Sequence, residues 1–204
     1  MKFFKDNSYD IVKLFVNQIG IAIFSMALYT AISIAVPATS DWASKLEVMV
    51  SVAATAFYFV LIYIAMWEIG ATDAIRIESG KIKATPYKGA LMGLMANAPN
   101  FLLTGVALIF MSIGVFGAVE WCQSVFAVLN LFFGFLESMY LGAIINIVPI
   151  ATDASANVAN IAYLSRNALY FAAPILSVLT TAIGYIMGLK NKRIFPKTTT
   201  KRPE

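Results

Sequence analysis

Histidine is missing from this chain, and cysteine occurs once, at Cys122. Without histidine there is no Ser-His-Asp triad, no HExxH zinc helix and no imidazole ligand for a metal. A single thiol excludes an intrachain disulfide and a thiolate cluster. Cys122 stands beside Trp121 at the start of an apolar run. There a packed interfacial thiol is the plainer reading, since a nucleophile would need a base close by. The expectation is a protein with no metal and no cofactor. Charge is scarce too: 13% of residues are charged and 60% are apolar, where soluble domains carry roughly a quarter charged residues. The apolar runs are too long for a soluble domain of this length.

The charges that remain are grouped. Lys2, Lys5 and Lys13 precede the first apolar run, and Arg76, Lys81, Lys83 and Lys88 follow the second. Lys190, Lys192, Arg193, Lys197, Lys201 and Arg202 form the tail. Lys and Arg in short loops are retained on the cytoplasmic side, so all three islands are expected inside a cell membrane. The net charge of +4 points to anionic lipid headgroups rather than nucleic acid, because no aromatic-lined groove accompanies the basic residues. The chain reads as all-α, a polytopic transmembrane helical bundle. Residues 1–189 form one integral membrane domain, and 190–204 a basic, disordered cytoplasmic tail.

Residues 11–36 make the first span, ended by Pro37, with Trp42 as an anchor at the outer interface. Lys2 and Lys5 ahead of an apolar stretch look like the start of a signal peptide. The stretch 19–36 is longer than a typical signal core, however, and further spans follow, so a retained helix is expected. Residues 46–69 make the second span. The island 72–86 alternates apolar and charged residues around Ser79-Gly80, which predicts a small cytoplasmic hairpin with Glu78 facing Lys81. The competing reading is an amphipathic overrun of the second helix, capped by Gly80.

Pro99, bracketed by Asn97 and Asn100, predicts a break near Ala98, with 88–96 as a half-helix and 100–115 as the crossing. Residues 122–148 and 168–189 complete the set. Five spans put the two termini on opposite sides, whereas the basic ends both demand the inside. An even count follows if 122–148 is two short helices breaking between Gly134 and Glu137, which makes six; otherwise orientation tolerates the mismatch, and five well-formed spans are the expectation.

Glu137 is the one acid within its long apolar run. Intramembrane carboxylates cost about 2.5–3.5 kcal/mol to insert and usually face a bundle interior or a water path. Desolvation disfavours the anion, which suits reversible proton binding; a buried structural partner and an interfacial residue are the other readings. Asn97, Pro99 and Asn100 are the candidate binding feature, because broken helices expose backbone groups that transporters use as sites. Simple Pro kinks also occur without a ligand. Glu68, Asp73 and Arg76 suggest an inner-face salt-bridge network, since a carboxylate near a helix C-terminus needs a cation. Small residues recur at four-residue spacing in Ala27, Ala31 and Ala35, in Gly89 and Gly93, and in Gly184 and Gly188. Such faces let helices approach closely, within the chain or against a partner subunit or second copy.

The expected function is a non-enzymatic, transporter-like or accessory membrane subunit. The alternatives are an intramembrane enzyme acting on lipid or peptide through carboxylates, and a structural or assembly protein. Carboxylates converging on one cavity would favour the enzyme.

Overall fold

The computed structural model describes residues 2–37, 40–117, 119–150 and 156–192. The tail from 193 onward, and residues 151–155 before the last helix, lie outside the described residues, as does most of the expected disordered tail. Among the described residues seven helices follow one another: α1 (Lys2–Ala35), α2 (Asp41–Glu78), α3 (Lys88–Ala96), α4 (Ala98–Phe116), α5 (Glu120–Leu136), α6 (Ser138–Ile147) and α7 (Ala156–Leu189). No strand occurs among the described residues. Four helices are long and apolar enough to cross a membrane: α1, α2, α4 and α7. The pair α5 and α6 makes a fifth if it counts as one span, but it bends by 114° at Glu137.

The hairpin expected at 72–86 is not formed. Instead α2 continues to Glu78 and ends in a left-handed turn at Gly80, whose φ is 71°. The Gly80 amide donates to the Ile77 carbonyl at 2.9 Å and the Lys81 amide to the Arg76 carbonyl at 2.9 Å. This double bond pattern satisfies the last carbonyls of the helix and needs a residue that tolerates positive φ. It outweighs the alternation because a lone hairpin is marginal in water while the helix is already running. The same device ends α7. Asn191 takes φ 49°, and the Lys192 amide reaches the Met187 carbonyl at 3.0 Å.

α2 and α7 share the most extensive helix contact in the molecule, and glycine makes it possible. A Cβ added at Gly188 would meet the Trp67 carbonyl and, at 2.9 Å, the Ala71 nitrogen; one added at Gly184 would meet the Tyr63 carbonyl at 2.8 Å. Across the seam Gly70 abuts the Tyr185 carbonyl. Gly89 and Gly93 of α3 rest on Tyr185 and Thr181 in the same way. Both glycine pairs singled out in the sequence therefore lie at contacts within the chain. Ala27, Ala31 and Ala35 are exposed.

These contacts also sort the ends of the helices. The end of α2, the start of α3 and the end of α7 lie together, tied by Trp67 Nε1 donating to the Lys192 carbonyl at 2.6 Å. This end of the bundle carries Arg76, Lys81, Lys88 and Lys190. The start of α5 packs on the end of α4, where Gln123 Nε2 donates to the Gly114 carbonyl at 3.2 Å and Cys122 is buried. From Glu137, α6 turns back toward that far end. Its Gly142 amide donates to Tyr29 Oη at 3.1 Å, and the Val148 carbonyl after it accepts from Arg166 in the first half of α7.

Because the Gly188 contact is backbone against backbone, Gly188→Ala has no flexible neighbour to displace. It should destabilise the protein by about 1–3 kcal/mol, read as denaturant unfolding in mild detergent. Gly134→Ala, with nothing within 4 Å of the added carbon, should be neutral or gain up to about 1 kcal/mol. Equal effects at both positions would remove the glycine seam from the account of stability.

Candidate functional site

The break between α5 and α6 is made without proline. Glu137 leaves the helical path, and neighbouring helices supply donors for carbonyls on either side of the turn. Gln18 Nε2 of α1 reaches the Leu136 carbonyl at 3.4 Å, and Ser51 Oγ of α2 donates to the Met139 carbonyl at 2.6 Å. Thr55 Oγ1 shares that carbonyl at 3.2 Å. Ser138 Oγ donates back to the Ala22 carbonyl of α1 at 2.8 Å. Inside a bilayer irregular backbone survives only when protein or water satisfies it. Three side chains from two helices donate to carbonyls at this turn, and Ser138 ties it to α1.

Glu137 sits at this turn with 0% of its surface exposed. Neither carboxyl oxygen has a hydrogen-bond partner among the described residues, and no cation pairs with it. It occupies the N-cap position of α6 without capping it. Three buried phenols, Tyr58, Tyr140 and Tyr170, lie close enough to interact with it electrostatically. The Tyr140 hydroxyl and Gln18 Oε1 are buried and unpartnered as well. Opposite, Pro174 lies inside α7 and deprives the Tyr170 carbonyl of its helical donor. The result is a compact set of polar groups in the middle of an apolar bundle, with more hydrogen-bonding capacity than the described side chains use.

The Asn97 group is arranged differently. Asn97 closes α3 on itself, its Nδ2 donating to the Gly93 carbonyl at 2.9 Å. Asn100 Nδ2 reaches Asn97 Oδ1 at 3.3 Å, and Thr104 Oγ1 donates to the Asn100 carbonyl at 2.7 Å. Pro99 falls in the first turn of α4, where its missing N–H leaves no bond unmade. The helix does break where the sequence placed the break, but most of its polar groups are answered locally. Asn100 Oδ1 is the exception. No hydrogen bond joins this group to Glu137 among the described residues.

At the basic end Asp73 is buried and collects three partners. Lys88 Nζ lies 2.7 Å from its Oδ2, Tyr185 Oη donates to the same oxygen at 3.0 Å, and Arg76 is 3.6 Å from Oδ1. The ion-pair network thus joins α2 to α3 and α7. Glu68 stands apart: it lies five residues earlier, about 140° around the helix, and is exposed. Its carbonyl accepts a bond from Thr72, and it enters none of the ion pairs among the described residues. Arg76 is largely exposed at its side chain, 56%, so its share is small.

Sequence reasoning missed Gln18, Tyr58, Tyr140, Tyr170 and Pro174 around Glu137, and Lys88 as the cation for Asp73. Pro174 carried a visible signal inside an apolar span. The others are ordinary span residues until the tertiary fold brings them together. Among the described residues no group of His, Cys, Asp or Glu could hold a metal ion. Comparison with protein-family models, with curated proteins and with solved structures found no match.

A double-mutant cycle tests the Asp73 clamp. Asp73→Asn and Lys88→Met should each destabilise the protein, with a coupling of about 0.5–3 kcal/mol between them. Additive effects would mean that the pair contributes nothing of its own.

Proposed function

We propose that this chain is a non-enzymatic polytopic membrane protein, transporter-like or an accessory membrane subunit, in which Glu137 exchanges a proton at the tip of a re-entrant hairpin. In this reading α1, α2, α4 and α7 cross a cell membrane, and α5 with α6 enters and leaves by the same face. Four crossings give both termini and the island around Arg76 to Lys88 one side, the cytoplasmic one, as the charge bias demands. What supports this is the 114° bend together with the bonds that carry α6 back to Tyr29 and Arg166.

The observation that carries the role of Glu137 is its burial without cation or donor. An unpaired anion in hydrocarbon costs far more than a bound proton, so the group exchanges protons rather than holding charge. The positive end of α6 faces the same point and lowers the cost of the transient anion.

The enzyme alternative loses support from the spacing of the acids along α2. Thr55 touches the turn at Met139. Asp73 is eighteen residues farther along the helix, about 27 Å away, and Glu68 about 20 Å. These carboxylates do not meet in one cavity with Glu137.

In a Cys122→Ser background, Glu120→Cys and Ile150→Cys should both react with an impermeant thiol reagent on intact cells, and Lys81→Cys and Lys190→Cys should not. Protection of one far-end position alone would make α5 and α6 a crossing instead. For Glu137, infrared spectroscopy should find a protonated carboxyl band that Glu137→Gln removes. That substitution should leave stability nearly unchanged, since it strands no cation. A carboxyl titrating near the model value of about 4.3 would end the proton-exchange reading.

A further inference from the structure

A second polar feature lies apart from Glu137, in a cleft between α5, α6 and the first half of α7. Its inner part is a cavity of about 110 Å³ lined by Phe133, Asn167, Arg166 and Tyr163 among others. Asn167 is 1% exposed, and both its side-chain oxygen and nitrogen lack partners. Arg166 spends two donors on the end of α6, its Nε reaching the Val148 carbonyl at 2.8 Å and Nη2 the Ile145 carbonyl at 3.4 Å. A guanidinium carries five donors, so its charge is held in place with capacity left over. Phe126, Asn130 and Tyr163 also line an adjoining groove of about 530 Å³ that runs past Leu131. That groove opens on a face where Val128 and Leu131 are exposed.

Depth decides what could sit there. Arg166 precedes Leu189 by twenty-three residues of α7, about 35 Å, slightly more than the hydrocarbon thickness of about 30 Å. With the end of α7 at one boundary, Arg166 is at headgroup level on the other. A fixed guanidinium repels cations, which argues against a proton or metal-ion entrance by this route. It favours an anion, while the apolar groove leading from it to the bilayer favours an acyl chain.

We propose that this cleft binds a membrane phospholipid of net negative charge, with its phosphate at Arg166 and Asn167 and one acyl chain in the groove past Leu131. The side-chain amide of Asn167 donates to a phosphate oxygen, and the guanidinium supplies the charge-assisted bond that a phosphate accepts well. The bound lipid would brace α6 against α7 at the end where Arg166 joins them by hydrogen bonds.

Native mass spectrometry of the full chain in mild detergent tests the site, with phosphatidylglycerol, phosphatidylethanolamine and oleate as probes. Both lipids offer the phosphate, but the fixed guanidinium repels the ethanolamine ammonium, so phosphatidylglycerol should bind about tenfold more tightly than phosphatidylethanolamine. Arg166→Gln also removes the cap on α6, so two variants that spare it carry the test. Asn167→Asp sets a like charge against the phosphate, and Leu131→Trp fills the groove. Each should weaken phosphatidylglycerol about tenfold while the protein stays folded. Glu137→Gln should leave binding unchanged, which separates this site from the proton-exchange reading. Equal affinity for phosphatidylethanolamine, a preference for oleate, or indifference to both Asn167→Asp and Leu131→Trp would overturn the proposal.

Discussion

Backbone groups released from a helix inside hydrocarbon must be answered by the protein itself, and the turn at Glu137 meets that demand through side chains from elsewhere. Gln18, Ser51 and Thr55 reach in from α1 and α2, while Ser138 reaches out to Ala22. Without those donors α5 would have every reason to continue as one helix, for neither proline nor a strained residue stops it. The bend is therefore a property of the assembled bundle. It depends on α1 and α2 being already in place, and through them on the α2–α7 glycine seam that positions the largest pair.

That dependence bears on topology. Counting apolar runs treats each as a crossing, which leaves five and a conflict with the basic residues at both ends. A run that doubles back at mid-depth removes the conflict, because α5 and α6 then contribute no net crossing. The bonds from Gly142 to Tyr29 and from Arg166 to Val148 both fall at the end opposite Lys88 and Lys190, as doubling back requires. Charge distribution and internal hydrogen bonding are independent kinds of information, and they favour the same reading.

How much was legible in the sequence varies with the range of the interaction. Long apolar helices follow from local hydropathy, and the break at Asn97 follows from a local backbone rule for Pro99; both are found, but the run 122–148, expected as a span, is bent by 114°. The cap at Gly80 was also visible, but as one of two readings. Local alternation favoured the hairpin, while the energetic advantage of extending a formed helix lay outside the pattern. The environment of Glu137 was not legible. Tyr58, Tyr140 and Tyr170 are 79, 3 and 33 positions away along the chain, and nothing in an apolar span says which aromatic faces inward. Lys88 was read only as one member of its basic island, with Arg76 the residue named for the inner-face network, whereas burial of Asp73 draws Lys88 inside.

Glu137 and Arg166 carry opposite charge chemistry within neighbouring parts of the fold, and the structure keeps them apart. Phe133 lies one turn before Glu137 on α5, is completely buried, and forms part of the cavity that also holds Arg166. Its ring centroid is 5.3 Å from that of Tyr170 and 6.5 Å from that of Phe126, and all three rings line the cavity that holds Arg166. Had Glu137 faced Arg166 directly, the two would have formed a buried ion pair. Instead neither carboxyl oxygen of Glu137 has a partner among the described residues, and Arg166 donates to the Val148 and Ile145 carbonyls at the end of α6. In the proposed reading, that separation is what leaves the acid at the tip of the hairpin free to bind and release a proton.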